Sequence, residues 1–106
     1  MNKSITFYQK FEQDIVKGLK TITIRDEAES HFSPGDLVEV LSYEDDRWFC
    51  QIEIVSVFPI RLDALTEEHA KQENMSLPTL KDLIREIYPA TDSFFVIEFR
   101  IRNIDK

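Results

Sequence analysis

The sequence predicts an α+β fold, and three observations carry that expectation. Segments of strand character outnumber helical ones, two of them face each other across a polar turn, and no alternation of strand with helix points to a parallel sheet. The expected architecture is a small, curved, mostly antiparallel β-barrel with helices packed at its ends. A chain of 106 residues can bury such a core as one domain, residues 1–106, without disulfides or a metal.

The elements follow from local chemistry. Ile5-Thr6-Phe7 is a short apolar run and the first expected strand. Phe7, Phe11 and Ile15 recur at helical spacing, with Gly18 as the C-terminal stop. From Lys20 to Asp26 the pattern alternates, Ile22 and Ile24 on one face and Thr21, Thr23 and Arg25 on the other. "EAESHFSPG" reads as a loop ending in a Pro34-Gly35 turn. "DLVEVLSY" and "RWFCQIEIVSVF" form an antiparallel hairpin through Glu44-Asp45-Asp46. Thr66 caps a short helix reaching about Glu73, and Ser76 with Pro78 opens another whose Leu77, Leu80, Leu83, Ile84 and Ile87 make one apolar stripe. "SFFVIEFRI" is the last strand.

Composition narrows the function. A formal net charge of −7 repels phosphate backbones at long range, so RNA is a possible but disfavoured partner and a small, weakly charged ligand is favoured. No apolar run approaches a membrane span, no cleavable signal opens the chain, and a single cysteine suits a reducing compartment; a cytoplasmic location without membrane contact is expected. No feature points to a protein partner.

The usual chemical signatures are missing: no nucleophile elbow, phosphate-binding glycine loop or dinucleotide fingerprint occurs. Cys50 shares a strand face with Trp48, Ile52 and Ile54 and has no nearby histidine to activate it, which marks a buried hydrophobe. His69 and Glu73 stand four apart on a helix and supply two potential metal ligands, but no third is visible, so neither metal nor other cofactor is expected. What remains is Lys20, Thr23 and Arg25 within six positions. From spacing alone a solvated strand face explains them better than a cavity floor does, because Thr is at home in strands and Lys and Arg often line solvated faces. In a regular strand Lys20 and Thr23 point to opposite faces, and they meet only if the chain bends between Gly18 and Lys20.

"GLKTITIR" fits the Gly-x-Lys-x-x-x-x-Arg signature of ASCH domains, which share the PUA-like barrel. Together with "ITFYQKFEQDIVKGLKTITIRDEAESHF", "EDDRWFC", "LTEEHAKQEN" and "FFVIEF", the chain resembles the small bacterial N4-acetylcytidine amidohydrolases from about Ile5 to Arg100. "IRNIDK" extends beyond the usual family end and is assigned no function. The resemblance implies a metal-free hydrolase that cleaves the acetyl amide of a nucleoside to cytidine and acetate. Residue by residue it implies a catalytic set of Lys20 from "GLK", Thr23 from "TIR" and Glu73 from "QEN".

That set is chemically coherent. A threonine hydroxyl needs a base beside it, and lysine serves as one only when neutral, which burial or a neighbouring cation favours. Arg25 can be that cation, or can bind substrate by holding the oxyanion formed on the acetyl carbonyl. Glu73 falls near a helix C-terminus, whose partial negative charge disfavours a carboxylate and suits a proton donor to the departing nitrogen. The main alternative is a non-catalytic PUA-like module that binds RNA or a modified nucleoside, with Lys20 and Arg25 on phosphate and Thr23 on a base edge. An amidase for another acylated amine is a third reading.

Overall fold

In the computed structural model, which describes residues 3–104, the chain runs β1 (Lys3–Phe7), α1 (Glu12–Val16), β2 (Ile22–Arg25), β3 (Leu37–Ser42), β4 (Trp48–Arg61), α2 (Glu67–Gln72), α3 (Leu77–Ile87) and β5 (Ser93–Asn103). Short 3-10 turns occupy Gln9–Phe11, Glu27–Glu29 and Leu62–Ala64. The last two residues of the C-terminal extension lie outside the described residues.

The strands form one five-stranded sheet in the order β1-β3-β4-β5-β2. The β3–β4, β4–β5 and β2–β5 pairs are antiparallel, as expected, while β1 pairs with β3 in parallel, with Ile5 opposite Val40. Parallel neighbours need a long crossover, and the segment carrying α1, β2 and the Pro34-Gly35 turn supplies it. The barrel is accordingly half-closed: β1 and β2 are the two edges, and they approach each other through a side chain rather than a ladder. Arg25 Nη2 on β2 donates to the Thr6 carbonyl on β1 at 2.7 Å.

Several boundaries differ from the sequence expectation for physical reasons. Phe7 ends β1 rather than beginning a helix; it still buries into the same cluster as Ile15, which is why the spacing looked helical. β2 begins at Ile22, so Lys20 precedes the strand. β4 runs on to Arg61 through Pro59, tolerated because β3 pairing ends at Glu53 and leaves that edge of β4 without a β3 donor to satisfy.

Two apolar clusters result. One joins Ile5, Phe7, Ile15, Val38, Val40, Cys50, Ile52, Ile54, Ile97 and Phe99. The other packs Ile22, Ile24, Phe94 and Val96 of the sheet against Leu65, Ala70, Leu80 and Ile84 of the α2–α3 layer. β5 therefore buries both faces, with Phe94 and Val96 turned to the helices and Ile97 and Phe99 to the other side. β2 reads the same way: Ile22 and Ile24 face the helices, and Thr23 lies opposite Ile97 on the far face.

Candidate active site

The two ends of a buried ion pair are each presented by a helix terminus. α1 stops in a Schellman motif: Leu19 N–H donates to the Asp14 carbonyl at 2.8 Å, Gly18 N–H to that of Ile15 at 3.1 Å, and Gly18 takes a φ of 77°. This left-handed turn swings the chain so that Lys20 enters the interior before β2 begins. α2 stops the same way: Met75 N–H donates to Ala70 at 3.0 Å, Asn74 N–H to Lys71 at 3.0 Å, and Asn74 has φ 57°. Glu73 is the cap residue just before that turn. A backbone bond from Thr21 N–H to the Gln72 carbonyl, 2.8 Å, ties the two termini together. The ammonium of Lys20 then meets the carboxylate of Glu73 directly.

Among the described residues the buried polar or charged side chains are Lys20, Thr23 and Glu73, each 4% exposed, and Ser42. Three residues picked out by motif alone are thus three of the few buried polar side chains among the described residues, and all line one cavity together with Arg25. The bend at Gly18 removes the objection that Lys20 and Thr23 point apart: Lys20 is outside the regular strand. Arg25 Nε donates to Thr23 Oγ1 at 2.8 Å, confirming that the two share a face. No hydrogen bond joins Lys20 to Thr23 among the described residues; Lys20 Nζ donates instead to the Ile22 carbonyl at 3.0 Å. Its ammonium also sits over the Phe7 and Phe11 rings, 5.6 and 5.2 Å from their centroids.

Burial lowers Lys20 from the usual lysine value to about 7, with the Arg25 guanidinium pushing the same way and Asp14 opposing. A neutral lysine is therefore accessible in this site near neutral pH.

The cavity has a volume of about 790 Å³, within the range of small-molecule sites. One wall is aliphatic: α3 sends Leu80 and Ile84 into the core and turns Leu83 and Ile87 to the cavity. At the rim Tyr8 and Tyr43 meet edge to face at 5.1 Å between centroids, with Tyr43 63% exposed. The other sequence candidates lie elsewhere. Cys50 is fully buried, and burial pushes its thiol up to about 12. His69 closes the capping box of α2, its Nδ1 accepting from Thr66 N–H at 3.0 Å. No group of His, Cys, Asp or Glu able to hold a metal occurs among the described residues, and no helix there is long and apolar enough to cross a membrane.

Residues 3–99 match the ASCH domain family. The chain belongs to it. Full-length relatives of this ASCH chain are named N(4)-acetylcytidine amidohydrolase: one from Serratia proteamaculans is 60% identical over 96% of this chain and 100% of its own. One from Haemophilus influenzae is 58% identical over 93% and 95%, respectively. The resemblance read from the motifs is borne out. Among solved structures, an ASCH domain from Lactobacillus crispatus superposes with a TM-score of 0.76 at 18% identity, covering 95% of this chain and 80% of that one. A protein from Enterococcus faecalis gives 0.78 at 18% identity, covering 98% and 78%. These distant likenesses establish the α+β half-barrel as the ASCH fold.

The sequence pattern overlooks several residues that the ASCH fold brings to the cavity. Glu29 is four residues beyond Arg25 and accepts from its Nη1 at 3.1 Å, a spacing that was legible. Tyr88, whose hydroxyl donates to the other oxygen of Glu29, and Tyr8 and Tyr43 carry no sequence signal that separates them from ordinary surface aromatics.

Proposed function

We propose that this chain hydrolyses the acetyl amide of N4-acetylcytidine to cytidine and acetate, with Thr23 as nucleophile, Lys20 as general base and Glu73 as general acid. The observation that carries the reading is the buried Lys20–Glu73 pair beside Thr23 in one cavity, in a chain whose relatives are named for that activity. Lys20 and Glu73 begin as the neutral pair. Lys20 turns from the Ile22 carbonyl toward Thr23 and takes its hydroxyl proton as Oγ1 attacks the acetyl carbon. The Arg25 guanidinium, whose Nε–H donates to Oγ1, supplies a cation beside the attack, and we assign it to hold the oxyanion that forms on the acetyl oxygen. Glu73 then delivers its proton to N4 as the C–N bond breaks, releasing cytidine and leaving an acetyl ester on Thr23.

Acylation has now turned the neutral pair into the ion pair, and deacylation reverses it. Glu73 takes a proton from water, the hydroxide adds to the ester, and the Lys20 ammonium returns a proton to Oγ1 as acetic acid leaves and ionises to acetate in solvent. The substrate assists, because its amide nitrogen shares its lone pair with the pyrimidine ring, making the carbonyl more electrophilic and the leaving group better.

The test is incubation of the purified protein with N4-acetylcytidine, followed by ultraviolet absorbance. Turnover is expected, and it persists with a strong chelator. Thr23→Ala is expected to abolish it with the fold intact, one strand hydroxyl being a minor stability element. A binding module would give neither turnover nor this loss, and a wild-type rate in Thr23→Ala would make water the direct nucleophile.

A further inference from the structure

We propose that Glu29 is a positioning residue that holds the Arg25 guanidinium against Thr23 Oγ1, and that Tyr88 in turn holds Glu29. The inference rests on Thr23 acting as the nucleophile. Arg25 is engaged in three directions: Nε on Thr23 Oγ1 at 2.8 Å, Nη2 on the Thr6 carbonyl at 2.7 Å, and Nη1 on Glu29 Oε2 at 3.1 Å. Its fork is planar and rigid, so fixing all three arms fixes the direction of Nε–H. With Nε–H occupying a lone pair of Oγ1, the threonine's own O–H is free to turn toward a base.

Of the three anchors only Glu29 is itself anchored by a side chain. Its Oε1 accepts from the Tyr88 hydroxyl, and Tyr88, at the C-terminal end of α3, packs on Phe94 with centroids 5.5 Å apart. Burial, and then the Glu29 bond, raise the Tyr88 phenol well above its usual range, so it remains a donor at neutral pH. All of Thr6, Thr23, Arg25, Glu29 and Tyr88 line the cavity. The Arg25 side chain is 11% exposed and that of Glu29 46%, so the ion pair itself contributes little to stability. An exposed pair of no consequence predicts that Glu29 can be removed without kinetic effect; the chain of bonds ending on Oγ1 predicts otherwise.

The experiment measures kcat and KM on N4-acetylcytidine for Glu29→Ala, Glu29→Gln, Tyr88→Phe and Thr23→Ala, with Glu29→Ala repeated in an Arg25→Lys background. Glu29→Ala is expected to lower kcat about tenfold to a hundredfold with KM within about twofold, the scale of a slightly misplaced group. Glu29→Gln is expected to recover most of the rate, because its amide oxygen still accepts from Nη1. Tyr88→Phe, which keeps the ring and reads the chain of bonds if Glu29→Ala fails to fold, is expected to lose about twofold to threefold in kcat. In the Arg25→Lys background Glu29→Ala should add nothing, since coupled residues are not additive. A wild-type kcat in Glu29→Ala, an unchanged kcat with raised KM, or the same loss in the lysine background would overturn the positioning role. An active Thr23→Ala would instead sink the reading beneath it; an inactive one with Glu29→Ala unimpaired would sink only the positioning role.

Discussion

In the proposed mechanism Lys20 is the residue on which the chemistry turns. At the ordinary lysine value only about one ammonium in 3000 would be neutral at pH 7, whereas here the value is lowered to about 7, chiefly by burial and then by Arg25. The sign of the pH dependence follows. The protonated amine cannot accept the threonine proton, so kcat/KM is expected to fall as pH drops below about 7, and to fall again at higher pH once Glu73 has no proton to give N4. Replacing Arg25 by Gln removes a cation that disfavours the ammonium, so the acidic limb should move to higher pH. A pH–rate profile of both proteins checks this, and an unmoved limb would remove Arg25 from the base's environment. Lys20→Arg should be nearly as damaging as Lys20→Ala, because arginine stays charged at any working pH.

At the scale of elements, two very short helices do unusual service through their ends. α1 and α2 expose their Schellman turns to one another, and the left-handed residues Gly18 and Asn74 aim Lys20 and Glu73 inward. A Cβ at Gly18 would meet nothing within 4 Å, so Gly18→Ala tests backbone conformation alone. Its φ of 77° costs an L-residue about 1–2 kcal/mol. The expected result is a Tm lower by about 5–10 °C. A fall in kcat should accompany it, as the Lys20 approach relaxes. Thermal denaturation and kinetics together check the pair of effects; a lower Tm at unchanged kcat would separate the turn from the site.

For the whole molecule, the buried Lys20–Glu73 pair is expected to be a stability cost, which the proposed mechanism explains. Charges this deeply buried lose more hydration than their attraction returns unless every bond is made. Glu73→Ala alone is expected to destabilise by about 3–5 kcal/mol, because it strands a buried amine. Lys20→Met combined with Glu73→Leu should be as stable as the parent or more so, and inactive. Urea denaturation distinguishes them: a double variant as unstable as the single one would mean that packing, and not desolvation, dominates at this site.

What the sequence determined by itself is what short-range physics controls. The alternation of Ile22 and Ile24 with Thr23 and Arg25, the glycine stop at Gly18, the Thr66 and Ser76 caps and the apolar stripe of α3 are local patterns, and each is present in the structure. The catalytic candidates were legible only because their motifs are. The tertiary structure decided the rest. The parallel β1–β3 pair, the bridge from Arg25 to Thr6 across the open edges, and the meeting of Lys20 with Glu73 each join segments distant in the chain. So does the reach of Tyr88 to Glu29. Such contacts are selected by which loops can close over a shared core, and the period of a single strand or helix carries no term for that choice.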